Sequence, residues 1–348
     1  MAQRKCSTIT GSTAGDRNRA SSADQAFASV SLPDGALLHL VAALKKQWGR
    51  YRKELKRCQK DFSFAAVHDS RVATRRLLSI VGLLNPFLAP ARARKLRRLL
   101  KCHLDSLNQL RDTQVQLVTA RKLKHTYPVA GGFYRYLRKR EKHLARRTRR
   151  DVKQIRIWRL NELVMGCRGD LKKWRKPELP SAANALLLRM VHAAFARTQR
   201  LGDQVDPDDT KTIHRTRVAF KKFRYMVENL GSRLPHVDKP LLVAMDDFQT
   251  LMGDIQDAQV FLKSFERFAR KRKVQPQSAR AFCNHLRRHS KALIQVFLNT
   301  ADHLSDFWPS AISAGRKAPR GVLRARRTRL ARKLSAAEPR FGPGKTSL

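Results

Sequence analysis

The residues with the most chemical promise are two histidines, each followed by cations at a fixed spacing. His68, Arg71 and Arg75 stand at i, i+3 and i+7, and the same order returns in His214, Arg217 and Lys221. At 100° per residue each trio shares one stripe of a helix. Arg76 and Lys222 project from the edges of the two stripes, and Arg224 flanks the second. A guanidinium presents a planar fork that matches two phosphate oxygens, and an ammonium presents a mobile point charge. A stripe of them about 10 Å long can touch successive phosphates of one chain. A histidine held against that anion would have its pKa raised and would donate hydrogen bonds to it. The competing reading is an ordinary solvated basic face. Recurrence of the spacing, with no acid at i+4 to neutralise either trio, weighs against it.

The recurrence extends beyond the trios. The pattern H-x-x-R-V-A-x-[RK]-[RK]-[LF] begins at His68 and again at His214, an offset of 146 residues. Downstream, LNQLRD at 107–112 is echoed by MGDIQD at 252–257, an offset of 145. Two matches at nearly one offset indicate a duplicated unit. Opposite each cationic stripe lies an apolar one: Ala73, Leu77, Ile80, Val81 and Leu84 in the first copy, and Ala219, Phe223, Met226, Val227 and Leu230 in the second. That side is expected to face a helical core.

The elements that must carry these stripes are helices. Proline costs about 3 kcal/mol inside a helix, so long proline-free stretches rich in Leu, Ala, Arg and Lys permit helix. Period-2 runs of β-branched residues are nearly absent. Helices are expected at about 35–60, 64–85, 90–124, 132–170, 182–202, 208–230, 238–272 and 277–304. Asp209 is expected to cap the sixth, and Gly231 to end it. The fold class is therefore all-α, two pseudosymmetric four-helix bundles from an internal duplication. The first half covers 31–172 and the second 182–310, joined by a connector at 173–181. Residues 1–30 read as a disordered segment and 311–348 as a basic tail.

Charge narrows the function classes. The chain has 348 residues with 74 Lys+Arg against 27 Asp+Glu, a formal net charge of +47. Residues 315–348 hold 11 basic and 1 acidic side chain, while 31–314 hold 59 and 24, so the body itself is polycationic. A polyanionic partner is implied, and an enzyme acting on small neutral substrates is disfavoured. Five widely spaced cysteines without a CxxC pair suit a reducing cytoplasm. No secretory leader is visible, and no membrane span is expected, since the longest apolar candidate, 182–196, is broken by Arg189 and His192.

The doubled H-x-x-R-V-A-x-[RK]-[RK] motif, the pair Arg224-Tyr225 and the segment ending at Asp112 resemble the CHAD domain, the histidine-bearing α-helical domain family. The resemblance spans roughly 31–305 and fits a stand-alone version, since no E-x-E-x-K strand pattern of a triphosphate tunnel domain is present. It implies two facing helical bundles that bind inorganic polyphosphate along a basic central surface, in some members at polyphosphate granules. Carried over by motif, the polyphosphate-binding residues would be His68, Arg71, Arg75, Arg76, His214, Arg217, Lys221, Lys222 and Arg224. The family's L-G-x-x-R-D segment departs here at Asn108, in place of Gly, and at Gln256, in place of Arg, which removes a cation from the latter place. Asp112 and Asp257 are retained and would orient a motif Arg or His. Outside the resemblance, the stripe Arg94, Arg98 and Lys101 reads first as a solvated face, with additional phosphate contacts as the alternative.

Binding without catalysis is the expectation, with no cofactor and no metal, because the motif offers cations and no general acid–base pair. Nucleic acid is the alternative partner, although aromatics are only 7% and no stacking platform stands out. A granule-surface adaptor acting through the basic tail is a further alternative. Oligomeric state is left open. The cluster Arg146, Arg147, Arg149 and Arg150 reads as a solvated face. His285 and His289, at i and i+4 near Cys283, read as surface residues rather than metal ligands. Gly344-Lys345-Thr346 is no P-loop, since Pro339 stands where the first glycine belongs.

Overall fold

The computed structural model describes residues 32–33, 35–175, 179–234 and 236–308. The expected segment 1–30, the tail 311–348 and residues 176–178 of the connector lie outside the described residues. Among the described residues every regular element is helical: α1 Ala36–Asp61, α2 Phe64–Leu84, α3 Pro90–Leu123, α4 Pro128–Lys153, α5 Ile157–Lys172, α6 Leu179–Asp203, α7 Thr210–Leu230, α8 Lys239–Lys271 and α9 Pro276–Ala301.

The helix starts follow from local chemistry. Ser63 accepts a hydrogen bond from the Ala66 amide at 3.2 Å to open α2, and Asp238 accepts from Leu241 at 2.8 Å to open α8. Asp209 caps α7 as expected, accepting from the Lys211 amide. Pro90, Pro128 and Pro276 each stand at the first position of a helix, where the missing N–H has no intrahelical partner to lose. Gly231 ends α7 at φ 51°, a conformation that L side chains resist.

One expected helix is two. The stretch 132–170 breaks after Lys153 and restarts at Ile157. Neither proline nor glycine marks the break. Instead Gln59 of α1 donates from Nε2 to the carbonyl oxygens of Val152 and Ile155, at 3.0 and 3.4 Å. A partner distant in sequence thus satisfies groups that helix termination leaves open.

Matching the repeat positions pairs α1 with α6, α2 with α7, α3 with α8 and α4 with α9, and leaves α5 as an addition to the first half. Within each half, neighbours in sequence pack together: α1 on α2, α3 on α4, α6 on α7 and α8 on α9. Across the halves α2 meets α7, and α3 meets α8. One apolar core runs through both halves, including Leu77, Ile80 and Val81 from α2 and Phe223, Met226 and Val227 from α7. A second lies at the far ends of α3, α4, α8 and α9, built on Phe133, Phe265 and Phe282. Between the two cores, α3 and α8 present polar residues: Arg111, Asp112, Gln114 and Gln116 on one, and Asp254, Gln256 and Asp257 on the other. The expected apolar and cationic sides of the motif helices meet these two environments.

Candidate functional site

The two motif helices pack side by side. Near the C-terminal end of α7, Asn229 donates to the Ser79 hydroxyl of α2 at 3.0 Å. Further back along both helices the cationic stripes approach α3 and α8. Arg71 is buried, and its Nη1 donates to the Leu107 and Asn108 carbonyl oxygens of α3, both at 3.4 Å. Its counterpart Arg217 lies over α8 at Gly253, where an added Cβ would stand 3.5 Å from Nη2 and 3.6 Å from Nε. Asn108 and Gly253 occupy matching places in the repeat. Each arginine therefore lays its guanidinium along the same stretch of the next helix in its own half.

Electrostatics show that the two stripes form one cluster. Burial lowers the Lys221 ammonium to about 8, assisted by Arg75, Arg217, Arg71 and Arg224. Burial lowers Arg71 to about 10, with Arg75 and Arg111 pushing the same way and Asp112 and Asp257 opposing. Arg217 is lowered by burial and by Arg75, against Asp257 and Asp254. Arg75 of the first half thus acts on two cations of the second, and Arg71 on one of them. His68 and His214 are exposed, yet both are held below the usual imidazole range, by the surrounding protein first and by neighbouring cations next. In the ligand-free site these rings are neutral at pH 7; an anion would reverse the sign of the field they feel.

The other expected residues fall into three groups. Arg224 is buried and already engaged: its guanidinium pairs with Asp246 and, at 3.2 Å, with Glu228. Arg76 lines a small pocket with Gln47, Ser79, Tyr225, Glu228 and Asn229, to the side of the cluster, and Lys222 is exposed. Arg94, Arg98 and Lys101 are exposed on α3. They stand 18, 14 and 11 residues before Asp112, spacings that return to one helical face, so they prolong the face that carries Asp112.

Asp112 and Asp257 are open to solvent but ringed by protein, which raises both carboxyl pKa values against the pull of Arg71, Arg111 and, respectively, Arg75 and Arg217. Asp112 also raises Asp257, which places the two carboxylates near each other across the halves. Neither makes a hydrogen bond or ion pair with a motif cation among the described residues, so they act on the cluster through space.

A family model of the CHAD domain matches residues 42–266, a span that holds both motif helices and both downstream segments. The chain belongs to the CHAD domain family. Its fold is similar to the crystal structure of the CHAD domain from the plant Ricinus communis, with a TM-score of 0.60, 18% identity, and 83% of this chain and 95% of that one covered. It is also similar to PptA from Streptomyces chartreusis, with a TM-score of 0.57, 15% identity, and 78% and 99% coverage. No curated protein matches the chain. CHAD domains are associated with binding polyphosphate and triphosphate.

Within this CHAD fold, Arg111 is a functional candidate absent from the sequence-based set. It is buried on α3 with Cζ 4.7 Å from the Phe64 ring centroid. It acts on His68, Arg71, Asp112 and Asp257, which puts it inside the cluster. The signal was its place in LNQLRD, one residue before Asp112. The matching residue, Gln256, raises the His214 pKa against burial and the neighbouring cations, which places it beside that ring. The departure from the CHAD pattern at Gln256 therefore puts a neutral amide where the first half has the Arg111 cation.

One expectation is overturned. His285 and His289 are not surface residues of the CHAD fold: they are 3% and 5% exposed, and Tyr127 packs 4.7 Å from the His285 ring. Burial lowers His289 to about 4, so it is neutral at physiological pH. Their i, i+4 spacing follows the inward face of α9, which sequence charge pattern concealed because Arg287 and Arg288 lie between them. Among the described residues no group of three His, Cys, Asp or Glu side chains is placed to hold a metal ion, and no helix is long and apolar enough to cross a membrane.

Proposed function

We propose that this CHAD protein binds inorganic polyphosphate, without chemical turnover, on a single cationic surface to which both halves contribute. The carrying observation is that Lys221, lowered first by burial, is lowered further by Arg75 and Arg71 of the first half and Arg217 of its own, and that Arg75 also lowers Arg217. Arg71, Arg75, Arg217 and Lys221 together, with no carboxylate in ion-pair contact among the described residues, raise the energy of the free state. A multivalent anion removes that repulsion and releases counterions. Arg71, Arg75, Arg111, Arg217 and Lys221 would touch phosphates, and His68 and His214 would donate to them from the rim. Arg94, Arg98 and Lys101 extend the positive face along α3, so that with the cluster it reaches about 27 Å. That length suits a linear polyanion better than a compact nucleotide. Polyphosphate granules in the cytoplasm are where such a protein would concentrate.

Nucleic acid is the rival polyanion, and a direct comparison separates the two. Affinity for long-chain polyphosphate and for DNA of equal charge is measured at two salt concentrations. Tighter polyphosphate binding at both is the expected result; equal or tighter DNA binding contradicts the reading. Steady phosphate release from polyphosphate with a divalent metal would overturn the non-catalytic assignment.

A further inference from the structure

The central cluster leaves most of the positive charge of the first half unexplained. α4 and α9 hold matching places in the two halves, each opening on a proline and packing on the long helix before it. α4 carries 10 Lys and Arg with 2 acids, whereas α9 carries 4 Lys and Arg with none. A site built on α2, α3, α7 and α8 makes no such demand on α4.

The cations of α4 point away from that site. α4 buries Phe133, Leu137, Leu144, Thr148 and Val152. Thr148 donates to the Ser106 carbonyl oxygen at 3.3 Å, and Gln114 donates to Glu141 at 3.4 Å, so Ser106 and Gln114 mark the side of α3 that meets α4. On the helical wheel, Asn108 and Asp112, which mark the side toward the cluster, lie roughly 160–200° around from the middle of that pair. Beyond α4, on its own far side, Arg138, Lys142, Arg146, Arg149, Arg150 and Lys153 are all exposed. None of these six forms an ion pair among the described residues. Glu141, the acid nearest their centre, is occupied by Gln114. The six span about 22 Å of helix, a row with the same linear character as the cluster on the opposite side.

We propose that the outer face of α4 is a second polyphosphate-binding surface, and that two faces on opposite sides let one protein molecule bridge two polyphosphate strands. The inference rests on the function proposed above and adds a consequence: the protein cross-links long chains rather than only coating them. Linking two sites through one rigid body raises the effective concentration of the second strand and favours networks over pairs.

The test uses the full chain in three forms, with light scattering on long-chain polyphosphate and calorimetry on short chains. Lys142, Arg146, Arg149 and Arg150 are changed together to Gln; all four are exposed, so the fold is retained. A control changes Arg280, Arg287, Arg288 and Lys291 of α9 to Gln, removing the same charge from the matching helix. Wild type and the α9 variant are expected to scatter strongly. The α4 variant is expected to bind short chains at the central site with affinity within about threefold of wild type, to lose one binding site per molecule, and to scatter at least about tenfold less. Equal scattering by the α4 variant and wild type, or equal losses in the α4 and α9 variants, overturns the second surface. Loss of all short-chain binding by wild type would instead overturn the proposed function itself.

Discussion

Arg75 of α2 acts directly on Lys221 of α7, and after burial it is the strongest of the influences that bring that ammonium down to about 8. The two residues belong to different halves of the chain, 146 positions apart, and hold matching places in the repeat. Their proximity converts a duplicated motif into one site. It also gives the site a pH response.

Lys221 and Arg71 both titrate lower in the folded chain than in the unfolded one. Between about pH 8 and 10 the unfolded chain therefore holds more protons at Lys221, and above about pH 10 at Arg71, so the ligand-free protein gains stability as pH rises, from Lys221 first. Bound polyphosphate raises both pKa values and removes the gain. Thermal unfolding with and without polyphosphate at pH 7.5 and 9.5 checks this. The expected result is a stabilisation by ligand that is larger at pH 7.5, together with proton uptake on binding near pH 8.

Arg75 and Arg224 separate affinity from stability. Arg75→Ala relieves repulsion on Lys221, Arg217 and Arg71, so Tm stays level or rises while polyphosphate affinity falls about tenfold, the worth of one strong charge-assisted contact. Arg224→Ala strips Glu228 and Asp246 of their buried partner. Its expected cost is on the order of 1–3 kcal/mol of stability, with affinity of the folded protein changed less than threefold. Denaturation and calorimetry on both variants decide it.

Gly253 gives Arg217 room to lie along α8. An alanine Cβ would meet that guanidinium at ordinary van der Waals distance, 3.5 Å. Gly253→Ala is therefore expected to bind normally and to gain about 0.5–1 kcal/mol from helix propensity. Gly253→Leu displaces the guanidinium and is expected to weaken binding about as much as Arg217→Ala. Matching losses in the two variants, measured by calorimetry, are the check.

Much of this was legible in the sequence because the signals were local. Proline and cap residues set the starts of α2, α3, α7, α8 and α9, and the period of Leu77, Ile80 and Val81 set the inward face of α2. The break between α4 and α5 was not legible, because its stabilising partner, Gln59, lies more than 90 residues away. The same limit hid the pairing of Arg224 with Asp246 on another helix, and the inward orientation of His285 and His289. Convergence of the two stripes was the largest gap: helical periodicity places residues on a face but is silent on which faces meet.

Salt dependence counts the cations in contact. Each phosphate contact removed lowers the slope of log affinity against log salt by about one. Changing Arg71, Arg217 and Lys221 together to Gln should lower the slope by about three. A change of the same size on α9 should leave it unaltered.

The central claim is that both halves build one site. Calorimetry with a short polyphosphate on Arg75→Ala and Lys221→Ala, each alone, tests it most directly. The predicted result is weaker binding at the central site in both variants, with the number of sites unchanged from wild type. Two independent sites, one per half, would instead leave each variant with one site fewer and the remaining sites at full affinity, and that result would contradict the account.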